Sequence, residues 1–205
     1  MKKVFVLTGM IVFAALAAFA GSKSDEKTSL KVDTKASKIY WTGKKITGEH
    51  TGYLSLNDGT VSVKEGEIIS ASLKMDMNSI ECTDLQGEWK DKLVGHLKSD
   101  DFFSVEKNPT ATFDVKSVKK TGTQSVVTGD LTIKGITNEV SFPVEVKNEN
   151  NTLTANGTAK LDRTKWDIRY GSGKFFDSLG DNMIYDDFEI RFELVAKDSE
   201  DLTSL

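Results

Sequence analysis

Hydrophobic and polar positions alternate with a period of two along most of this chain. Ile69, Ala71, Leu73, Met75 and Met77 interleave with Ser70, Ser72, Lys74 and Asp76. The same rhythm recurs over 111–115, 127–133, 140–146, 153–161 and 188–194, and two earlier segments fit around Ile39-Tyr40-Trp41 and Tyr53-Leu54-Ser55-Leu56. Successive strand side chains point to opposite faces, so each of these eight segments is dry on one side and wet on the other. Parallel strands are buried on both faces and read as unbroken apolar runs. The pattern therefore predicts an antiparallel sheet with a single interior. Asn57-Asp58-Gly59, Lys119-Lys120-Thr121-Gly122, Gly135-Ile136-Thr137-Asn138 and Asn148-Glu149-Asn150-Asn151 read as the tight turns between strands.

Open sheets leave edges that pair with other chains, and closure removes them. The expected fold class is all-β: an eight-stranded antiparallel lipocalin-like barrel, a size that is either filled by side chains or holds one small ligand. Gly43, Ala71, Ala111, Gly129, Ala155, Gly157 and Ala159 all fall on the dry face. Small inward residues favour a pocket over a solid core.

One stretch breaks the rhythm. Trp89, Leu93 and Leu97 recur every four residues with Val94 beside them, which predicts a helix over about 84–98 near one end of the barrel. Thr83 and Gln86 have the spacing of a capping box, and Gly95 weakens the last turn by about 1 kcal/mol relative to Ala.

Composition narrows the setting. Met1-Lys2-Lys3, an apolar run to Ala20 and the small residues Ala18 and Ala20 describe a cleavable signal peptide over 1–20. A flexible leader over 21–29, a barrel domain over 30–197 and an acidic tail over 198–205 follow. The expected location is periplasmic or secreted. A net charge of −4, made more acidic by loss of Lys2 and Lys3, argues against nucleic acid as a partner. Cys82 is the single cysteine, so no internal disulfide can form. It reads as a buried apolar group rather than a reactive thiol. Dinucleotide, P-loop, His-Glu-x-x-His and Cys-x-x-Cys motifs are absent. A Cys82–His96 dyad would lack an orienting group, so no catalytic residue, metal or cofactor is assigned.

Three blocks, in order, resemble a known family. They are His96-Leu97-Lys98-Ser99-Asp100-Asp101-Phe102-Phe103 with Asn108-Pro109-Thr110-Ala111-Thr112-Phe113; Gly129-Asp130-Leu131-Thr132-Ile133-Lys134-Gly135-Ile136-Thr137; and 161–171, from Leu161-Asp162-Arg163 through Trp166 to Tyr170-Gly171. Over roughly 30–197 the chain resembles the YceI-like family of exported, lipocalin-like isoprenoid-binding proteins. The resemblance implies a barrel around a long apolar tunnel that takes a polyisoprenoid lipid, a prenyl phosphate or an isoprenoid quinone. The competing reading is an envelope stress-response or structural protein that works through its outer surface.

Against an isoprenoid, affinity should come from hydrocarbon burial, at about 0.8 kcal/mol per CH₂. Candidate tunnel residues are Trp41, Leu73, Met75, Phe113, Leu131, Ile133, Phe142, Trp166, Phe188, Ile190 and Phe192, with Phe102, Phe103, Phe175 and Phe176 toward the mouth. Candidate head-group residues are His96, Arg163, Arg169 and Lys174. Arginine suits phosphate because its planar fork donates two parallel hydrogen bonds. Arg163 and Arg169 could equally pair with Asp162, Asp167 or Asp100. Further candidate partners are a membrane, met transiently, and a second copy of the chain in a homodimer.

Overall fold

The computed structural model describes residues 27–122, 124–149 and 152–202. The expected signal peptide and most of the expected leader lie outside the described residues. The alternating segments form nine strands: β1 (Thr28–Val32), β2 (Lys38–Lys45), β3 (Gly48–Lys64), β4 (Glu67–Cys82), β5 (Thr110–Thr121), β6 (Gln124–Ile133), β7 (Ile136–Glu149), β8 (Thr152–Asp162) and β9 (Ile184–Lys197). Every strand pairs antiparallel with its neighbours, and β3–β4 pairing closes the sheet on itself. β1 and β2 both lie between β3 and β9, one after the other, and share a single position around the wall. The barrel is therefore eight-stranded, as the alternation predicts, with one stave made of two pieces. β1 starts inside the stretch expected as leader.

Three local expectations are corrected. Asn57-Asp58-Gly59 does not turn the chain: β3 runs through it, and a register shift between Leu56 and Asp58 absorbs the irregularity. A second bulge opposite Ser62–Val63 inserts Ile69 as an extra residue, so Ile69 is exposed and Ile68 faces inward. One inserted residue exchanges the faces of everything beyond it. The third concerns the helix, α1 (Gly87–Lys98), which begins later than expected. Gln86 makes no capping bond, and the Thr83 hydroxyl turns to the Thr51 carbonyl on β3. Leu97 is buried and Leu93 packs on the core, but Trp89 is 71 % exposed, with the Lys92 ammonium over its ring. The first turn of α1 thus overhangs the wall that its second half packs against. A four-residue helix, α2 (Ser199–Leu202), follows β9.

The connections are unequal at the two ends. The tight turn at 65–66 and the β5–β6 connection serve one end. The other carries α1 with its flanking loops and the long β8–β9 connection. Trp166 and Ile168, both fully buried, pin that connection down, and Trp166 Nε1 donates to the Leu131 carbonyl at 3.1 Å.

Candidate functional site

The barrel encloses a cavity of about 220 Å³, walled almost wholly by hydrocarbon. It runs from Val32, Leu153 and Ala196, low in the barrel, to Gly43, Ile184 and Phe188 beside the β8–β9 connection. An apolar cavity of about 150 Å³ already stays dry and takes up benzene.

Glycines make the space. Phe192 pairs directly with Gly157 across β9–β8, and Trp41 with Gly52 across β2–β3. A Cβ on Gly157 would meet the Phe192 ring at 2.6 Å, and one on Gly52 would meet Trp41 at 2.6 Å and the Glu81 carbonyl at 1.8 Å. Phe113 lies against Gly129 in the same way. Each ring occupies the room its glycine leaves at the wall, instead of projecting across the interior. Trp41 Nε1 donates to the Glu81 carbonyl, which ties the ring to the wall. Gly43 differs: a Cβ there would meet nothing within 4 Å.

Twelve of the candidate tunnel residues line the cavity: Trp41, Leu73, Met75, Phe102, Phe103, Phe113, Leu131, Ile133, Phe142, Phe188, Ile190 and Phe192. Trp166 is buried beside it, and Phe175 and Phe176 are exposed on the β8–β9 connection. Ile68 and Ile80 also line it but escape the alternation, because the irregularities of the β3–β4 pair shift their phase.

Of the four polar candidates, Arg163 and Lys174 meet at Asp186, while Arg169 and His96 have other partners. The Arg163 side chain is 3 % exposed and donates through Nε to the Tyr185 carbonyl, through Nη1 to Ile168 and through Nη2 to Ile184. Asp186 stands 3.4 Å from Nη2, and Phe102 lies under the guanidinium at 5.7 Å. Burial lowers the pKa of Arg163, and Asp186 and Asp162 oppose that shift. Arg163 is a clamp that fastens the β8–β9 connection to β9. Lys174 bridges Asp162 at 2.8 Å and Asp186 at 3.4 Å. Arg169 pairs with Asp167 and stacks on Phe175. His96 packs edge-on against Phe102 and Tyr170, which joins α1 to the β8–β9 connection.

Asp162 couples this end of the barrel to pH. Burial pushes its carboxyl up, but hydrogen bonds from Lys174 and Thr164 outweigh that and hold it below the ordinary range. A depressed folded-state pKa stabilises above the unfolded value, about 3.9, and that stability is lost as pH falls through the folded value. Thermal melts of wild type should therefore fall more steeply below pH 4 than those of Asp162→Asn. Parallel curves would show that the Asp162 contacts carry no weight.

No hydrogen bond joins Cys82 to His96. The buried Cys82 thiol donates to Asp84 Oδ1 at 3.3 Å, and Asp84 Oδ2 lies 2.7 Å from His50 Nδ1. Burial pushes the thiol pKa up, and the Asp84 carboxylate adds to the shift. A thiol-specific reagent should label Cys82 at a negligible rate in the folded protein and readily in denaturant, and Cys82→Ala should leave any lipid uptake intact. Among the described residues no three His, Cys, Asp or Glu side chains are grouped to hold a metal ion, and no helix is long and apolar enough to cross a membrane.

A family model described as YceI-like domain matches residues 30–196. Among curated relatives, a UPF0312 protein of Pseudomonas paraeruginosa is 33% identical over 109 residues, covering 50% of this chain and 55% of the relative. A UPF0312 protein of Staphylococcus aureus is 56% identical over 50 residues, 24% of this chain and 27% of its own. The chain spans about half the length, or less, of these relatives. Of solved structures, BcnA of Burkholderia cenocepacia superposes with a TM-score of 0.66 at 26% identity, over 81% of this chain and 99% of BcnA. A polyisoprenoid binding domain from Saccharophagus degradans superposes with a TM-score of 0.60, over 82% and 98% of the two chains. At 15% identity that likeness speaks to the fold.

Proposed function

This chain belongs to the YceI-like domain family, and from that premise we propose that it binds a long isoprenoid lipid, of prenyl phosphate or quinone type, and carries or sequesters it in the cell envelope without catalysis. The observation that carries the reading is the apolar cavity along the barrel. Asp187 and Ala196 of β9 both line it. The strand between them is about 30 Å long, or about 21–25 Å along the axis at ordinary barrel tilts. That length takes several five-carbon units in extended form. Each contributes about 3–4 kcal/mol on burial, so affinity resides in the tail. The likeness to a polyisoprenoid binding domain supports the same ligand class.

The test is mass spectrometry of lipid extracted from protein purified out of its native host. One isoprenoid per chain is the expected result. Lipid-free protein from host membranes rich in isoprenoids would reject the reading.

A second reading, action through the outer surface, draws on one observation. Ile46, Tyr170, Phe175, Phe176 and Tyr185 are exposed on the segments at the cavity's Gly43 end. Exposed apolar surface of this kind marks contact with a membrane or a partner. Flotation with phospholipid vesicles, lost on changing Phe175 and Phe176 to serine, would support it.

A further inference from the structure

The apolar cavity has one polar corner. Among the residues that line it, hydrogen-bonding side chains are confined to the indole of Trp41, already bonded to Glu81, and to Arg163, Tyr185 and Asp187. The last two belong to an irregularity in the β2–β9 pair. Gly43 faces Phe188 and Lys45 faces Ile184, so Tyr185, Asp186 and Asp187 stand opposite Lys44 alone. Such bulges re-aim side chains and locally interrupt the ladder. Outside this bulge lies a recess of about 380 Å³, and Tyr185 and Asp187 line it as well. The same two residues thus line both spaces.

The recess beside this polar corner has a distinctive charge balance. Lys44, Lys160 and Lys174 line the recess, against Asp186, Asp187 and Glu189. Each lysine already has a carboxylate: Lys160 holds Asp187 at 2.9 Å, Lys174 holds Asp162 and Asp186, and Lys44 faces Glu49 at 3.5 Å. Arg163, the cation nearest the cavity, is buried, holds three backbone carbonyls and stands against Asp186. A phosphate entering here would have to take lysines from their carboxylates and leave those carboxylates beside its own charge. Like charges in a partly desolvated site are mutually costly. A neutral head that accepts and donates hydrogen bonds disturbs no pair.

We infer that the recess outside the β9 bulge is the head-group site, and that it selects an uncharged hydrogen-bonding head over a phosphate. The inference rests on the isoprenoid-carrier reading and deepens it. It also accounts for the mixed lining of the recess, which a purely anionic ligand would not require.

The experiment uses two compounds with the same tail, geranylgeraniol and geranylgeranyl phosphate. They are titrated into delipidated protein at low salt and followed by tryptophan fluorescence, since Trp41 lines the cavity. The alcohol should bind at least tenfold more tightly. In the double variant Asp187→Asn with Glu189→Gln, which strips two carboxylates from the recess and frees Lys160, that preference should shrink at least threefold. Equal or tighter binding of the phosphate to wild type would overturn the inference while leaving tail binding intact. A preference untouched by the double variant would overturn the placement of the head group. Failure of both compounds to bind would reject the carrier reading itself, and this inference with it.

Discussion

Gly43→Phe should abolish uptake of an isoprenoid while leaving the barrel folded. Gly43 sits on β2 facing the cavity, with no atom within 4 Å of where a Cβ would stand, and its backbone lies outside the left-handed region. A Cβ there meets open space and the backbone is unstrained, so the ring can extend from it into the cavity. It would occupy the Gly43 end of the tunnel, next to Phe188 and the β9 bulge. Excluding a single five-carbon unit removes about 3–4 kcal/mol of burial, which is more than a hundredfold in affinity. Titration with geranylgeraniol reads the loss, and the melting temperature should stay within a few degrees of wild type. Undiminished uptake would show that lipid does not travel through this end. The contrast is Gly157, where even a methyl group would collide with Phe192; there a loss of binding could not be separated from a loss of fold.

The second large effect falls on stability. Arg163→Met should lower the melting temperature by about 10 °C. The substitution keeps the length of the side chain but strands the carbonyls of Tyr185, Ile168 and Ile184 and leaves the Asp186 carboxylate to Lys174 alone. An oxygen of that carboxylate is already buried without a hydrogen bond. Breaking a buried charge pair by removing one partner costs about 3–5 kcal/mol, and each kcal/mol moves the midpoint of a domain this size by about 2–4 °C. Arg163→Lys should recover little, because one ammonium cannot reach three carbonyls set at the spacing of a planar fork. A melting temperature within 2 °C of wild type for the methionine variant would mean that the clamp is dispensable and that Trp166 and Ile168 suffice to hold the β8–β9 connection.

Alternation along the chain was enough to determine that the protein is all-β, antiparallel and closed, because a strand dry on one face has only one place to put that face. It also determined most of the tunnel wall: Leu73, Met75, Phe113, Leu131 and Phe192 follow the period without interruption. What alternation cannot register is a phase change. Bulges in β3, β4 and β9 exchange Ile69 for Ile68 and create the gap opposite Lys44, and nothing in the local pattern marks them. Polar residues were the least legible. Arg163 and Arg169 have the same side chain and lie six residues apart, yet one is buried among three carbonyls and the other lies on the surface against Phe175. Burial and partners arise from segments distant in sequence, Tyr185 and Ile184 for Arg163, so only the tertiary structure could decide which cation is a strut and which carboxylates line the recess. Apolar side chains obey one nondirectional rule and can be placed by period alone; hydrogen-bonding groups answer to whichever donors and acceptors the fold brings within 3 Å.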